Sequence, residues 1–325
     1  MITILGAGSI GCYVGGVLAA AGHPITLIGR AAMADALTGG FHITTMDGTK
    51  HHAQPAITTD PRVLSDATTI LLCVKSADTG TAAQMIQDHA PPQAQVVSLQ
   101  NGVSNPDALA DTLGAERVTA GMVGFNVIRQ SKIDFVQTTD GEIILDHSGQ
   151  GVANLFDGTA ITAFTHRNMQ GIQWTKLLMN LNNALNALSG MGLRPQLEDR
   201  DWRRVLAACI AEGLAVARAE EVQLEKLGKI HPRLLPTLLR LPDFIFLRVA
   251  QSMLRISQTA RSSMADDYAQ YRQSEVAWLN GHVVQRAQMH GLTAPVNARV
   301  VDAILRAFAN NDRPPLKHPA KALLL

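Results

Sequence analysis

The chain has 325 residues, 46% of them apolar and 17% charged, the balance of a folded protein too long for one hydrophobic core, so two domains are expected. A formal net charge of +1 and the lack of any basic block argue against nucleic acid as the main partner. Cys12, Cys73 and Cys209 form no CxxC pair and sit in apolar runs, which argues for reduced thiols in a cytosolic core and against a disulfide framework. The 11 histidines scatter without metal-ligand spacing, so no metal is expected.

Residues 1–28 are largely apolar and small, but no Lys or Arg precedes the run, and Gly6, Gly8, Gly11, Gly15, Gly16 and Gly22 interrupt it. No other window has the apolar length of a membrane span. A soluble, unprocessed, cytoplasmic chain without membrane contact is therefore expected.

A strand at 1–5, a helix at 13–21 and a β-branched strand at 25–28 make a βαβ unit, which implies a parallel sheet. Further strands are expected at 69–74, 95–99 and 118–120, separated by helices at 80–89 and 107–113. The pattern weakens after Asp146, and 161–164 reads as the last strand. Near-continuous apolar strands suit a sheet covered on both faces, so residues 1–167 read as an α/β, Rossmann-type, doubly wound domain. From residue 168 the period becomes helical, through 174–188, 202–219, 234–256 and 276–289. Pro195, Pro232, Pro242 and Pro295 fall in the gaps. Residues 168–325 read as an all-helical domain. Its apolar segment at 224–256 is assigned to packing within that domain, with membrane contact or a dimer surface as alternatives.

Gly6-Ala7-Gly8-Ser9-Ile10-Gly11 is G-x-G-x-x-G, placed directly after a strand and opening a helix. In that context Gly6 permits the turn, Gly8 admits a pyrophosphate to the backbone, and Gly11 lets helix and strand pack closely. Amides at the helix start then face the anion. After the second strand an NAD site usually has Asp or Glu for the ribose 2′-OH. Gly29-Arg30 stands there instead, and a guanidinium suits a 2′-phosphate, so NADP is favoured over NAD.

In the helical half, Lys176, Asn180 and Asn183 fall at i, i+4 and i+7, which puts an ammonium and two amides on one helix face. Polar groups there are costly to bury without a ligand or water, and apolar surroundings would lower the lysine pKa. Ser263-Met264-Ala265-Asp266 is a helix-start pattern, S-x-x-D, so Ser263 is a candidate cap as well as a candidate ligand. Glu275 opens an apolar-periodic helix containing Val276, Leu279, Val283 and Ala287.

Four groups of residues, in matching order, resemble the ketopantoate reductase (2-dehydropantoate 2-reductase) family over nearly the whole chain. They are the fingerprint ending in Leu27-Ile28-Gly29-Arg30; Val74-Lys75 with Gln100-Asn101-Gly102; Trp174-Thr175-Lys176-Leu177-Leu178-Met179-Asn180; and Ser262-Ser263-Met264 with Asp267, Glu275, Leu279-Asn280-Gly281 and Pro295-Val296-Asn297. The resemblance implies NADPH-dependent reduction of a 2-keto acid to a 2-hydroxy acid, with ketopantoate and pantothenate biosynthesis as the first expectation. It implies Lys176 as general acid, Asn180 and Ser263 as substrate ligands, and Glu275 as orienting the lysine, the substrate or the cofactor. It further implies Asn101 at cofactor and substrate, Lys75 near the nicotinamide, Arg30 on the 2′-phosphate, and the helical domain closing over the substrate. A homodimer is compatible with this reading. The family's second asparagine, eight residues after the lysine, is Ala184 here, and Asn183 precedes it, an offset of about 100° on an ideal helix. Another branched or aromatic 2-keto acid is therefore an alternative substrate. A β-hydroxyacid dehydrogenase-like reaction, whose enzymes share the plan of a nucleotide domain followed by a helical domain with a lysine, is a further alternative. A nucleotide-sensing protein is the non-enzymatic one.

Overall fold

The computed structural model describes residues 1–228, 230–251, 260–310, 312 and 315–325. These residues form two compact units, Met1–Met169 and Gln170–Leu325.

The first unit contains strands β1 (Ile2–Leu5), β2 (Ile25–Ile28), β3 (Phe41–Thr44), β4 (Lys50–Ala53), β5 (Ala56–Thr58), β6 (Thr69–Leu72), β7 (Gln95–Ser98), β8 (Val118–Val123), β9 (Val127–Arg129), β10 (Asp134–Gln137), β11 (Ile143–Asp146) and β12 (Ala163–His166). Its helices are α1 (Ser9–Ala20), α2 (Ala31–Leu37), α3 (Thr79–His89), α4 (Asn105–Leu113) and α5 (Gln150–Ala153). The main sheet has the order β12-β11-β8-β7-β6-β1-β2-β5. It is parallel from β5 through β8, and β11 then runs antiparallel to β8. The chain moves outward from β1 to β2 and β5, then returns to pair β6 with the other side of β1. That reversal is a topological switch point, and it opens a crevice at the carboxyl ends of β1 and β6. Every residue of β1 and β2 is buried, Thr3 and Thr26 included, which suits strands that are otherwise Ile and Leu.

A second sheet, β4-β3-β10-β9, goes beyond the sequence reading. Its strands give little signal; β4 is Lys50-His51-His52-Ala53, and only Ala53 is buried. Helix α1 lies between the two sheets. A Cβ on Gly15 would come within 2.8 Å of Ile4 Cδ1, and one on Gly16 within 2.7 Å of Ile43 Cγ2. The glycines that thin the apolar run thus let the helix pack closely on both sides. Cys12 is fully buried there, and burial pushes its thiol up to about 12.

The second unit has α6 (Met169–Asn180), α7 (Asn182–Ser189), α8 (Leu193–Glu198), α9 (Arg200–Ala219), α10 (Leu235–Leu239), α11 (Asp243–Val249), α12 (Ser263–Ala269), α13 (Asn280–Met289) and α14 (Pro295–Ala309). No strand occurs among its described residues, and none of the described helices is long and apolar enough to cross a membrane.

Three expected helices are corrected. The stretch 174–188 is two helices that meet at Leu181, although Leu181 N–H still donates to the Leu177 carbonyl at 3.0 Å. The stretch 234–256 is broken into α10 and α11, with Pro242 as the N-cap of α11; residues 252–256 lie outside the described residues. The stretch 276–289 starts with a single 3₁₀ turn, Val276–Trp278, and α13 follows only after Leu279, at φ −108° and ψ −96°. Pro195 sits inside the first turn of α8 rather than between helices, where its missing N–H is tolerated.

The 20-residue helix α9 is capped by Asp199, which accepts from the amides of Asp201 and Trp202. Its Arg203 is 0% exposed. The guanidinium donates to the carbonyls of Leu197, Glu198, Leu239 and Leu241, pairs with Asp243, and lies 4.2 Å from the Phe246 ring centroid. One buried cation thus ties the ends of α8 and α10 and the start of α11 to α9.

Candidate active site

In the first unit the expected cofactor residues sit at the carboxyl ends of neighbouring strands. Gly6–Gly11 follows β1, Arg30 follows β2, Lys75 follows β6, and Asn101 follows β7. Gly6 has φ +113°, open to glycine at low cost, and a Cβ on Gly11 would fall 2.0 Å from the Gly6 carbonyl oxygen. Gly8, the N-cap of α1, differs: a Cβ there meets nothing within 4 Å. Gly6 and Gly11 are required by the protein itself, whereas Gly8 borders open space at a helix N-terminus, where an anion is stabilised. The first turn of α1 carries no acidic residue to oppose it. These residues fit a dinucleotide pyrophosphate. Arg30 is the exposed N-cap of α2 and pairs with Asp78 at 3.2 Å.

Sequence reasoning missed what holds the β6 and β7 loops together. Gln100 Nε2 donates to the Val74 carbonyl at 3.1 Å and to Thr79 Oγ1 at 2.8 Å. Thr79 Oγ1 donates to Asn105 Oδ1 at 3.0 Å. Asn105 Nδ2 donates to Ser76 Oγ at 3.0 Å and to the Asn101 carbonyl at 2.6 Å. This buried chain sets the backbone on which Lys75 and Asn101 stand. The only sequence signal was the position of Gln100 beside Asn101.

In the second unit, every residue from Gly171 to Ser189 is buried except Lys176, Met179, Asn180 and Asn183. Their spacing is i, i+3, i+4, i+7, a single helical stripe. The break at Leu181 leaves that stripe intact. Ala184 is 0% exposed and points into the core, so the accessible amide is the one at Asn183. Burial alone pushes the Lys176 ammonium down to about 8. No carboxylate contributes to that shift, and Lys176 has no ion pair among the described residues. Trp174, buried against His282 at 5.8 Å between ring centroids, anchors the helix. Thr175 Oγ1 ties it to the Glu225 carbonyl at 2.7 Å. Residues on either side of the turn therefore fix where Lys176 emerges.

Ser263 is the exposed first residue of α12. The cap is Ser262, whose Oγ accepts from Ala265 N–H at 3.2 Å, one residue earlier than the S-x-x-D pattern indicates. Ser262 Oγ also donates to the Asn183 carbonyl at 2.9 Å, which brings the start of α12 to the stripe on α7. Glu275 is the N-cap of the 3₁₀ turn Val276–Trp278 rather than the start of a long helix. Asn280 and Asn297, from the other quoted motifs, are structural. Asn280 Nδ2 donates to Asn297 Oδ1, and Glu212 accepts from the amides of Val296 and Asn297 to cap α14.

An α/β unit with a fingerprint at its switch point, followed by a helical unit with a desolvated lysine, defines the plan of a pyridine-nucleotide oxidoreductase. Two family models cover most of the chain: "Ketopantoate reductase PanE/ApbA" matches residues 2–150, and its C-terminal counterpart matches residues 168–307. The chain belongs to this ketopantoate reductase family. It is 29% identical over 313 residues to a 2-dehydropantoate 2-reductase of Halobacterium salinarum, covering 93% of this chain and 97% of that one. A PanE/ApbA family ketopantoate reductase structure from Ralstonia eutropha aligns with a TM-score of 0.81 at 30% identity, over 96% of this chain and 99% of that one. The fold is shared further with a D-mandelate dehydrogenase solved with NADH and anilino(oxo)acetate, with a TM-score of 0.82 at 16% identity over 95% and 99% of the two chains.

Proposed function

We propose that this chain reduces a 2-keto acid to the corresponding 2-hydroxy acid with NADPH, and that ketopantoate is the substrate. The observation that carries this reading is the accessible stripe Lys176–Asn180–Asn183, with Met179, on a stretch from Gly171 to Ser189 that is buried elsewhere, its lysine desolvated and without an ion pair among the described residues. Family membership and the curated relatives named 2-dehydropantoate 2-reductase support the choice of substrate.

Residues 1–167 bind the nucleotide in this reading, and residues 168–325 bind the substrate. Gly6, Ala7, Gly8, Ser9, Ile10 and Gly11 hold the pyrophosphate, Arg30 the 2′-phosphate, and Lys75 and Asn101 the nicotinamide side. Bound NADPH supplies the hydride. Lys176, held protonated near neutral pH but only weakly so, donates a proton from Nζ to the ketone oxygen as charge develops on it. Asn180 and Asn183 orient the substrate by amide hydrogen bonds, and Ser263 donates to its carboxylate. Glu275 assists by orienting substrate or cofactor, since the Lys176 shift owes nothing to it.

The test is nicotinamide oxidation by purified protein with ketopantoate, a panel of branched and aromatic 2-keto acids, and NADPH against NADH. Turnover with ketopantoate at the highest kcat/KM supports the reading. Cofactor binding without reduction of any keto acid overturns it.

A further inference from the structure

Helix α7 carries three asparagines, and they differ in what surrounds them. Asn183 lies on the accessible stripe, and its side-chain amide has no protein partner among the described residues. Asn182 is spent on α8: its Oδ1 accepts from Gln196 Nε2 at 2.7 Å. Asn186 is 0% exposed, yet every polar end of it is engaged. Its Nδ2 donates to the Met191 carbonyl at 3.0 Å and to Gln196 Oε1 at 3.3 Å. Its Oδ1 accepts from the backbone N–H of Ser262 at 2.9 Å.

The last bond spans 76 positions in the chain and has a counterpart one helical turn away. Ser262 Oγ donates to the Asn183 carbonyl at 2.9 Å. Ser262 is thus held at two atoms by two residues at i and i+3 on α7. Leu193 N–H donates to the Ala260 carbonyl at 2.8 Å and fixes the same segment from the α8 side. Ser263 follows immediately, with its own side chain exposed. A buried amide whose donors and acceptor are all satisfied locks geometry, because any displacement leaves a buried polar group unpaired.

We infer that Asn186 is a positioning residue that sets the hydroxyl of Ser263 at a fixed place relative to Asn183, and so determines affinity for the keto acid without touching it. The inference rests on the proposed reading of Ser263 and Asn183 as substrate ligands. Asn182 provides the internal control, since it shares Gln196 with Asn186 but has no bond to Ser262.

The experiment is steady-state kinetics with NADPH and the 2-keto acid that the wild type reduces, on Asn186→Ala, Asn182→Ala, Ser263→Ala and the double variant Asn186→Ala/Ser263→Ala. Asn186→Ala is expected to raise KM for the keto acid about tenfold, with kcat and the KM for NADPH within about threefold of wild type. Asn182→Ala should lower Tm and leave KM in place. In the Ser263→Ala background the Asn186 substitution should add less than about twofold to KM, because it acts through that serine. Should Asn186→Ala not fold, Ser262→Ala cuts the other tie and is expected to give the same rise in KM. Multiplicative effects in the double variant, equal losses in Asn182→Ala and Asn186→Ala, or a fall in kcat alone would overturn the inference. An unaltered KM in Ser263→Ala overturns it too, but leaves the reductase reading standing. A wild-type protein that reduces no 2-keto acid brings down both.

Discussion

Arg30 and Asp78 meet at 3.2 Å, Nη2 to Oδ2, from the loops that follow β2 and β6 on either side of β1. Both side chains are largely exposed, at 87% and 46%, so the pair contributes little to stability and is easily exchanged for another anion. In the proposed function the 2′-phosphate of NADPH competes with Asp78 for this guanidinium. Asp78→Asn should therefore tighten NADPH binding by about two- to fivefold, and Arg30→Gln should weaken it by about tenfold or more. Binding of NADH should change little in either variant. Isothermal titration with the two nucleotides checks both.

The fingerprint glycines separate a folding role from a binding role. Gly11→Ala places a Cβ 2.0 Å from the Gly6 carbonyl oxygen, so it should lower Tm by several degrees and lose cofactor binding with it. Gly8→Ala has room for its Cβ and should leave Tm unchanged within about a degree, while the Kd for NADPH rises about tenfold. Thermal melts with and without nucleotide distinguish the two outcomes.

The contrast shows what was legible in the sequence. The fingerprint was readable because each glycine answers to a local constraint fixed by its neighbours. The second sheet was not, because β4 buries only Ala53 and depends on α1 for its place. Likewise the helix face with Lys176 and Asn180 follows from spacing alone. The choice of Ser262 over Ser263 as the cap does not: the S-x-x-D pattern points to Ser263, and the bond from Ser262 N–H to Asn186, 76 residues away, holds Ser262 in place instead. The break at Leu181 has only a weak signal, the low helix propensity of Asn180, Asn182 and Asn183, which does not fix where the helix divides.

In the proposed function Lys176 serves activity at the expense of stability. Its pKa is about 8 in the folded chain against 10.5 for the free side chain, so keeping it charged at neutral pH destabilises the fold. Lys176→Met should raise Tm at pH 7 while abolishing turnover. Between about pH 8 and 10.5 the folded wild type has shed a proton that the unfolded chain still holds, so wild-type stability recovers and the gap to Lys176→Met narrows.

His282 follows the same sign rule on the acid side. Burial lowers it to about 4 from 6.5, outweighing the opposing pull of Glu220. As pH falls through 6.5 toward 4 the unfolded chain takes up a proton that the folded chain refuses, and stability is lost. His282→Phe, which keeps the ring beside Trp174, should flatten the fall in Tm over that interval. Thermal melts from pH 7 to 4 read this directly.

Removing the buried cation of the helical unit tests the account of its packing. Arg203→Ala leaves the Leu197, Glu198, Leu239 and Leu241 carbonyls and Asp243 without their shared donor. A loss of about 3–5 kcal/mol is expected from denaturant titration, with kcat per folded molecule unchanged.

If Lys176 delivers the proton, the pH dependence of kcat/KM for keto acid reduction follows the titration of its ammonium. A plateau below about pH 8 and a tenfold fall per pH unit above it are expected, set by the lowered pKa of Lys176. In Lys176→Ala the rate should drop by about 10²–10⁴ and that limb should vanish. A rate independent of pH through pH 10, or a Lys176→Ala enzyme that turns over like the wild type, would contradict it.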